Sequence, residues 1–468
     1  MDDFLREIQT SLFREWINNQ KRDYYHLHQS ETDPDAIIIE NEYCYSYVTF
    51  NPQCIIELCV MNKRTDEMAF YLHFQFKTLK HAISLFEEMD QCIKKMVDQP
   101  MCRLLLCCSG GMTTAFFADK IKNGIKVLNL NMEVAATSYQ KIYNVAQNYD
   151  VILLAPQVSY VKLQVEKVFK NKLVLKIPTQ IFASYNVGAL ITFVEESLKH
   201  KENKYNGYVE PLASMMEIKT NKHVLAVSIN ANGENSHISY RLYNSHQDIV
   251  LDSNIIKSNI KLQDVLDALD TVVLQNEMID VISIALPGVM VEGNVYSGII
   301  EGGNHQLKER LEKRYEKEIY LINDVNAAVV GYYASQNEYK SLAFLFQPIG
   351  RMAGSGIIVS GQLIRGMDHL AGEVALLPLN LSDAYLTLAN TPEGTLELVT
   401  KNIMSIIAIV APEAIVVYSD LILDSQDVSD EIKKSLSQYS LKVYPKIIKV
   451  ENILEYILLG AMILSAKE

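Results

Sequence analysis

The sequence predicts an α/β chain of several domains: a small α+β segment over residues 1–98, a parallel-sheet domain over 102–200 and a larger α/β domain over 217–468. Three observations predict this. A chain of 468 residues is too long for one hydrophobic core. From "RLLLCC" to "NVGALITFVEESLKHK", short apolar strands alternate with helices, the pattern of a doubly wound parallel sheet. After the polar stretch "KHKENKYNGYVEP" the alternation resumes with longer strands and glycine-rich turns, so a further domain begins there.

The composition, 49% hydrophobic and 21% charged, is that of an ordinary globular protein. A net charge of −13 argues against nucleic acid as a partner and suits a protein that meets small molecules and other proteins. The seven cysteines, at 44, 54, 59, 92, 102, 107 and 108, are odd in number and without repeating spacing, so they are no disulfide framework. No CxxC pair points to zinc, and no metal site is expected. The N-terminus "MDDFLREIQ" has no apolar core of a signal peptide. The most apolar run, "ILEYILLGAMIL", is shorter than the roughly 18 residues of a membrane span and contains Glu455. A reducing cytosol is the expected compartment.

Within 1–98, the amphipathic helix "FLREIQTSLFREWI" precedes strands "CYSYVTF", "CIIELCVM" and "MAFYLHFQF" and the helix "LKHAISLFEEMDQCIKKM". Alternating aromatics such as "YLHFQF" read as a half-buried antiparallel sheet. His73 and His81 read as surface or packing residues, and the segment offers no chemistry. The C-terminal domain opens on "HVLAVSIN" and "SHISYRLYN" and continues with "DVISIALPG", "HQLKERLEKRYE", "IYLIND" and the glycine-rich "GSGIIVSGQLIRG". It closes with the strand "AIVVYS" and a last helix.

The chemistry of the middle domain concentrates in "LLLCCSGGMTTA". Cys108 ends a strand, and Thr113 and Thr114 sit where a helix begins. Between them Ser109, Gly110 and Gly111 can turn several N–H groups to one point, an anion cradle aided by the helix dipole. The same field favours a thiolate, so Cys108 can carry a phosphoryl group without a metal. Cysteine phosphatases add an arginine for hydrolysis, and this loop has none, which favours passing the group on. An ordinary βα turn with two small buried cysteines would show the same pattern. Cys107 is assigned to packing.

The segment resembles the enzyme IIB domain of the lactose/cellobiose class of the bacterial phosphotransferase system. "CSGGMTT", Cys108 to Thr114, matches that family's strand-end signature, and "DVILLAPQVSYV" matches its second loop with Ala155 in place of glycine. The resemblance covers about 102–200 and implies a flavodoxin-like, phosphatase-loop fold. It implies that Cys108 takes phosphate from a phosphohistidine on enzyme IIA and passes it to a sugar held by a membrane IIC protein. Ser109, Gly110, Gly111, Met112, Thr113 and Thr114 would form the phosphate loop, with Pro156 and Gln157 beside it. It places the protein in the bacterial cytoplasm, at the inner face of the membrane where IIC draws it there.

In the C-terminal domain, Asn323 and Asp324 end the strand "YLIND", where a carboxylate is well placed as base for a sugar hydroxyl. Gly354 and Gly356 precede a hairpin and allow close approach of phosphate, and Glu373 in "HLAGEVALLPL" is a candidate for sugar hydroxyls. Singly, each reads as well as a strand-end cap, a hairpin turn or a surface carboxylate. Together, "ALPGVMVEGNVYSG", "NDVNAA", "GSGI", "AGEV", "APEAIVV" and "LLGAMIL" resemble, in order, the ROK family of repressors and sugar kinases, over roughly 222–468. That resemblance implies a two-lobed actin/hexokinase-like fold, sugar binding at Asn323, Asp324 and Glu373, Asp324 as catalytic base, and a homodimer through this domain.

The departures weigh equally. "SINAN", Ser228 to Asn232, lacks the aspartate and glycines of the family's first phosphate loop. Leu376 stands where the sugar motif has histidine, the zinc-binding cysteines are missing, and Tyr418 and Ser419 replace adenosine-side glycines. Gly354 and Gly356 then read as the remnant of a nucleotide loop. No cofactor is expected; Mg·ATP enters only if this domain is an active kinase. Three functions remain open: a phosphoryl carrier coupled to a sugar-sensing domain without catalysis, an ATP-dependent glycokinase with an accessory IIB domain, and an inert scaffold. The intact "CSGGMTT" favours the first, and the broken "SINAN" loop disfavours the second. The IIB resemblance implies enzyme IIA as donor partner and membrane IIC as a further one, the ROK resemblance implies a sugar or sugar phosphate, and the net charge of −13 argues against nucleic acid.

Overall fold

A computed structural model of the chain describes residues 3–63, 67–98, 102–109, 112–128, 130, 132–169, 172–199, 212, 214, 220–232, 235–291, 294–301, 306–367, 370–437 and 444–467. The middle domain is a sheet in the order Met132–Ser138, Cys102–Cys108, Val151–Leu154, Leu173–Lys176, with every neighbouring pair parallel. Helices Met112–Val127 and Val187–Lys199 flank it. Val151–Leu154 is buried throughout, as expected of a parallel strand covered on both faces, and Leu104, Leu106, Phe117, Ile121, Leu153 and Leu190 share its core.

The C-terminal domain has two lobes. In the first, Val224–Asn232 runs parallel to Val281–Leu286, which runs parallel to Glu318–Asn323. Hairpin strands Asn235–Tyr243 and Ile249–Lys257 extend that sheet antiparallel. The second lobe is the sheet Gln362–Leu363, Gly354–Val359, Leu342–Phe346, Ala414–Tyr418, Lys446–Lys449.

Helices Asp324–Ala334 and Leu454–Lys467 lie between the lobes, in one core with Ala226 and Val281 of the first sheet and Phe344 and Val416 of the second. They cross at glycines. A Cβ on Gly331 would lie 2.0 Å from the Tyr456 carbonyl oxygen, and one on Gly460 would lie 1.8 Å from that of Ala327. Glu455, the charge inside the apolar C-terminal run, is buried against Arg241, whose guanidinium donates to both its oxygens at 2.9 and 3.0 Å. Among the described residues, no helix is long and apolar enough to cross a membrane.

Residues 3–98 differ from the expected separate segment in how they pack. Their helices, Asp3–Asn18 and Leu79–Asp98, and their five strands are as α+β as the sequence indicates. The last strand, Glu67–Gln75, pairs antiparallel with Ile249–Lys257 through Tyr71 and Ile256, making one sheet of ten strands. Phe13, Phe74 and Phe86 share a core with Leu225, Ile282 and Ile319 of the first lobe. The reason is the open edge of Ile249–Lys257, whose unpaired backbone groups accept a further strand. Charges pin the seam: Lys77 Nζ lies 2.6 Å from Asp267 Oδ1, and buried Lys257 lies between Asp264 at 2.5 Å and Glu88 at 2.6 Å. His73 is buried there too, its Nε2 2.6 Å from the Tyr240 hydroxyl, and burial lowers its pKa to about 4.

Candidate functional site

Cys108 is the last residue of the central strand of the middle sheet, paired with Ser138 and buried. Its neighbour Cys107 is also buried, and desolvation together with the nearby Cys108 thiol pushes it up to about 12, so it stays a thiol. Ser109 is exposed at the turn. Gly110 and Gly111 lie outside the described residues, and Met112, Thr113 and Thr114 open the following helix, their side chains outside the description as well. Pro156 and Gln157 begin a 3₁₀ turn at the end of Val151–Leu154. The Ala155 N–H donates to the Cys107 carbonyl at 2.9 Å, which fixes that turn beside the cysteine strand. Ligand sites in open parallel sheets lie at such carboxyl strand ends.

The second constellation surrounds Asp324, the first residue of the helix Asp324–Ala334. Asn323 is the N-cap: its Oδ1 accepts from the N–H groups of Val325 and Asn326, each at 3.1 Å, and its amide donates to the Gly288 carbonyl at 3.3 Å. Its side chain is therefore engaged in holding strand, turn and helix together. Asp324 is 7% exposed. Burial raises its pKa to about 6; accepting backbone N–H groups works against the rise, and the Glu373 charge adds to it.

Glycines bring Glu373 there. Gly372 has φ +95 and packs its backbone against Ser355, whose N–H donates to the Gly372 carbonyl at 2.8 Å; a Cβ on Gly372 would lie 1.7 Å from the Ser355 carbonyl oxygen. On the other side of the same strand, a Cβ on Gly356 would lie 2.5 Å from the Val325 carbonyl, and one on Gly354 would lie 3.1 Å from Val325 Cγ2. Gly354 and Gly356 thus have a packing reason to be glycine, because they let this strand pass between the Asp324 helix and the Gly372–Glu373 turn. Burial raises the Glu373 carboxyl as well. Asn326 Oδ1, two residues on from Asp324 in the same helix, is buried without a hydrogen-bond partner among the described residues. Sequence reasoning did not single out Asn326, although it lies inside the quoted motif "NDVNAA".

Ser228 to Asn232 continue a strand into its hairpin, with Asn230 opposite His237 and Ala231 opposite Ser236, and they bring no carboxylate for a cation. Leu376, at the sugar-motif histidine position, is 77% exposed.

The two constellations meet at a joint that no local pattern announces. Tyr139, one residue past the partner of Cys108, donates from its hydroxyl to Glu393 Oε1 at 3.2 Å. Glu393 lies in the first turn of the helix Pro392–Val410 of the second lobe. Leu421, beyond the strand Ala414–Tyr418, is buried in the core of the middle domain, and Ile349, beyond Leu342–Phe346, packs against that core. The carboxyl strand ends of the middle sheet therefore face those of the second lobe.

The thiol-bearing parallel sheet and the two-lobed, carboxylate-bearing domain each match a known family. Residues 103–191 match the family described as PTS system, Lactose/Cellobiose specific IIB subunit, and residues 233–395 match the ROK family. The chain thus carries, in this order, a span that matches the lactose/cellobiose-class IIB model and a span that matches the ROK model. Over 67 residues it is 30% identical to the PTS system oligo-beta-mannoside-specific EIIB component of Bacillus subtilis (strain 168), an alignment covering 14% of this chain. The chain spans 65% of the length of that curated relative.

Similar solved structures include a ROK family protein from Streptococcus pneumoniae TIGR4 in complex with sucrose, at 18% identity and a TM-score of 0.41 over 52% of this chain and 97% of that one. A ROK hexokinase from Thermus thermophilus gives 16% identity and a TM-score of 0.43 over 52% and 97%. A ROK family glucokinase from Streptomyces griseus, in complex with glucose and AMPPNP, gives 15% and 0.41 over 53% and 100%.

Proposed function

We propose that the chain is a bacterial, cytoplasmic phosphoryl carrier of the phosphotransferase system. Cys108 accepts phosphate from a phosphohistidine of an enzyme IIA protein, and the ROK domain binds a sugar or sugar phosphate without using ATP. In this reading the state of Cys108 and the occupancy of the sugar site together report on sugar supply, and so regulate uptake or metabolism. The observation that carries it is the place of Cys108, at a parallel-strand end with the Pro156–Gln157 turn tied beside it, inside a span matching the IIB family. A membrane IIC protein is the acceptor that family affiliation adds, and a homodimer through the ROK domain accompanies the reading. The absence of a carboxylate from Ser228–Asn232 speaks against the alternative, an ATP-dependent glycokinase.

The test is intact-mass analysis after incubation with phosphoenolpyruvate, enzyme I, HPr and a cellobiose-class IIA. Wild type and Cys107→Ser gain one phosphate, and Cys108→Ser gains none. Phosphate retained by Cys108→Ser would refute the assignment.

A further inference from the structure

We propose that the phosphoryl group of Cys108 is handed directly to a sugar hydroxyl held beside Asp324 and Glu373, so that the IIB domain serves the ROK domain as phosphoryl donor in place of a nucleotide. This deepens the carrier reading above and rests on it.

The joint is the first argument. The IIB domain sits at the carboxyl strand ends of the second lobe, the side on which open α/β sheets take their ligands. It contacts that lobe through Tyr139 to Glu393, through Leu421 and through Ile349. Ile349 opens the loop whose other end, Gly354, lies against Val325, the residue after Asp324. Gly354 is five positions on from Ile349, a reach of at most about 18 Å. One short loop therefore joins the surface that holds the IIB domain to the wall of the carboxylate site.

The second argument is what the carboxylate site lacks and what it keeps. It offers no carboxylate at Ser228–Asn232 to organise a cation, yet it keeps a buried carboxyl near the working range of a general base. Asn326 Oδ1 lies buried without a partner among the described residues, as a polar group does where a ligand hydroxyl completes the set. A phosphocysteine needs no metal for its delivery, so this acceptor half and the IIB donor half are complementary. The cation for the transferring group is on the same loop: Arg351 is exposed there and has no carboxylate partner among the described residues.

The step balances. The S–P bond of phosphocysteine breaks as the O–P bond to the sugar forms. The hydroxyl proton passes to the Asp324 carboxylate and then to solvent, and Cys108 leaves as thiolate, ready for the next phosphoryl group from the phosphohistidine donor. Reaction needs the hydroxyl and phosphorus at about 3 Å.

The experiment charges the full-length chain through enzyme I, HPr and IIA, removes the donors and all nucleotide, and adds glucose, mannose, cellobiose or β-mannobiose. Mass spectrometry follows phosphate on the protein and sugar phosphate in solution. The expected result is sugar-dependent loss of the protein phosphate with an equal yield of sugar phosphate, slowed at least about 100-fold in Asp324→Asn. Arg351→Ala, at an exposed position, slows it as well and guards against misfolding of the first variant. Charged protein that keeps its phosphate in the presence of a sugar that raises its melting temperature would overturn the proposal and leave the carrier reading standing. So would transfer at the wild-type rate in Asp324→Asn. Failure of Cys108 to charge at all would overturn both.

Discussion

Asp324→Asn is expected to stabilise the protein at neutral pH. The carboxyl is 7% exposed, and its pKa rises from 3.8 to about 6, mainly by desolvation. A shift of about 2 units corresponds to about 3 kcal/mol by which ionising the folded-state carboxyl costs more than in the unfolded chain. The sign follows from linkage. A raised carboxylate pKa destabilises the fold above the folded value and releases that cost as pH falls from about 6 towards about 4, because the folded state then binds the proton more tightly. Asparagine carries no charge at any of these values and keeps an oxygen for the Val325 N–H, which Asp324 Oδ1 accepts at 2.9 Å. Its buried NH₂ offsets part of the gain, by about 1–3 kcal/mol if it finds no acceptor.

The pH-dependent part is free of that offset: the difference between variant and wild type shrinks by about 2 kcal/mol between about pH 7.5 and pH 4. Urea titration read from Trp16 measures it, since this single tryptophan stacks edge-on against Phe86 at 5.5 Å in the core shared with the first lobe. A difference that does not change with pH, or that grows as pH falls, would refute the reasoning.

Two further perturbations address the frame that holds the site. Gly460→Ala places a methyl 1.8 Å from the Ala327 carbonyl, so the two central helices must separate; a loss of at least about 2 kcal/mol is expected in a thermal melt, and an unchanged melt would mean the helices do not cross so closely. Arg241→Met leaves Glu455 buried without its cation and costs about 3–5 kcal/mol, whereas Arg241→Met with Glu455→Leu recovers most of it, because Asp252, the remaining partner of Arg241, is half exposed. Paired melting curves check this, and a double variant no better than the single one would refute it.

The middle domain was legible because its information is local. Its alternation of strands and helices and the placement of Cys108 at a strand end follow from residues adjacent in sequence. The N-terminal strands were legible one by one, but their partner was not: Tyr71 meets Ile256 across a stretch that includes the whole IIB domain, and nothing in either strand names the other. Glu455 showed only as a charge in an apolar run, since Arg241, which explains it, lies 214 residues away. In the site, Asn323 and Asp324 were readable as a strand end meeting a helix start. The approach of Gly354 and Gly356 to Val325 of that helix depends on glycine packing between elements, and the Tyr139–Glu393 bond spans 254 residues.

The inert-scaffold reading makes a demand that the Asp324 cluster does not meet. A structural carboxylate at a helix start has one task, to accept backbone N–H groups of the first turn. Asn323 already performs it for Val325 and Asn326, so the acceptance of the Val325 N–H by Asp324 is redundant. What Asp324 adds is a buried charge, close enough to Glu373 to feel its repulsion, two residues from the unpartnered Asn326 Oδ1 of the same helix. For a scaffold each of these is a cost without return. For a pocket that takes a polyol they are the acceptors its hydroxyl protons require, and the pKa raised by burial is what makes one of them a base.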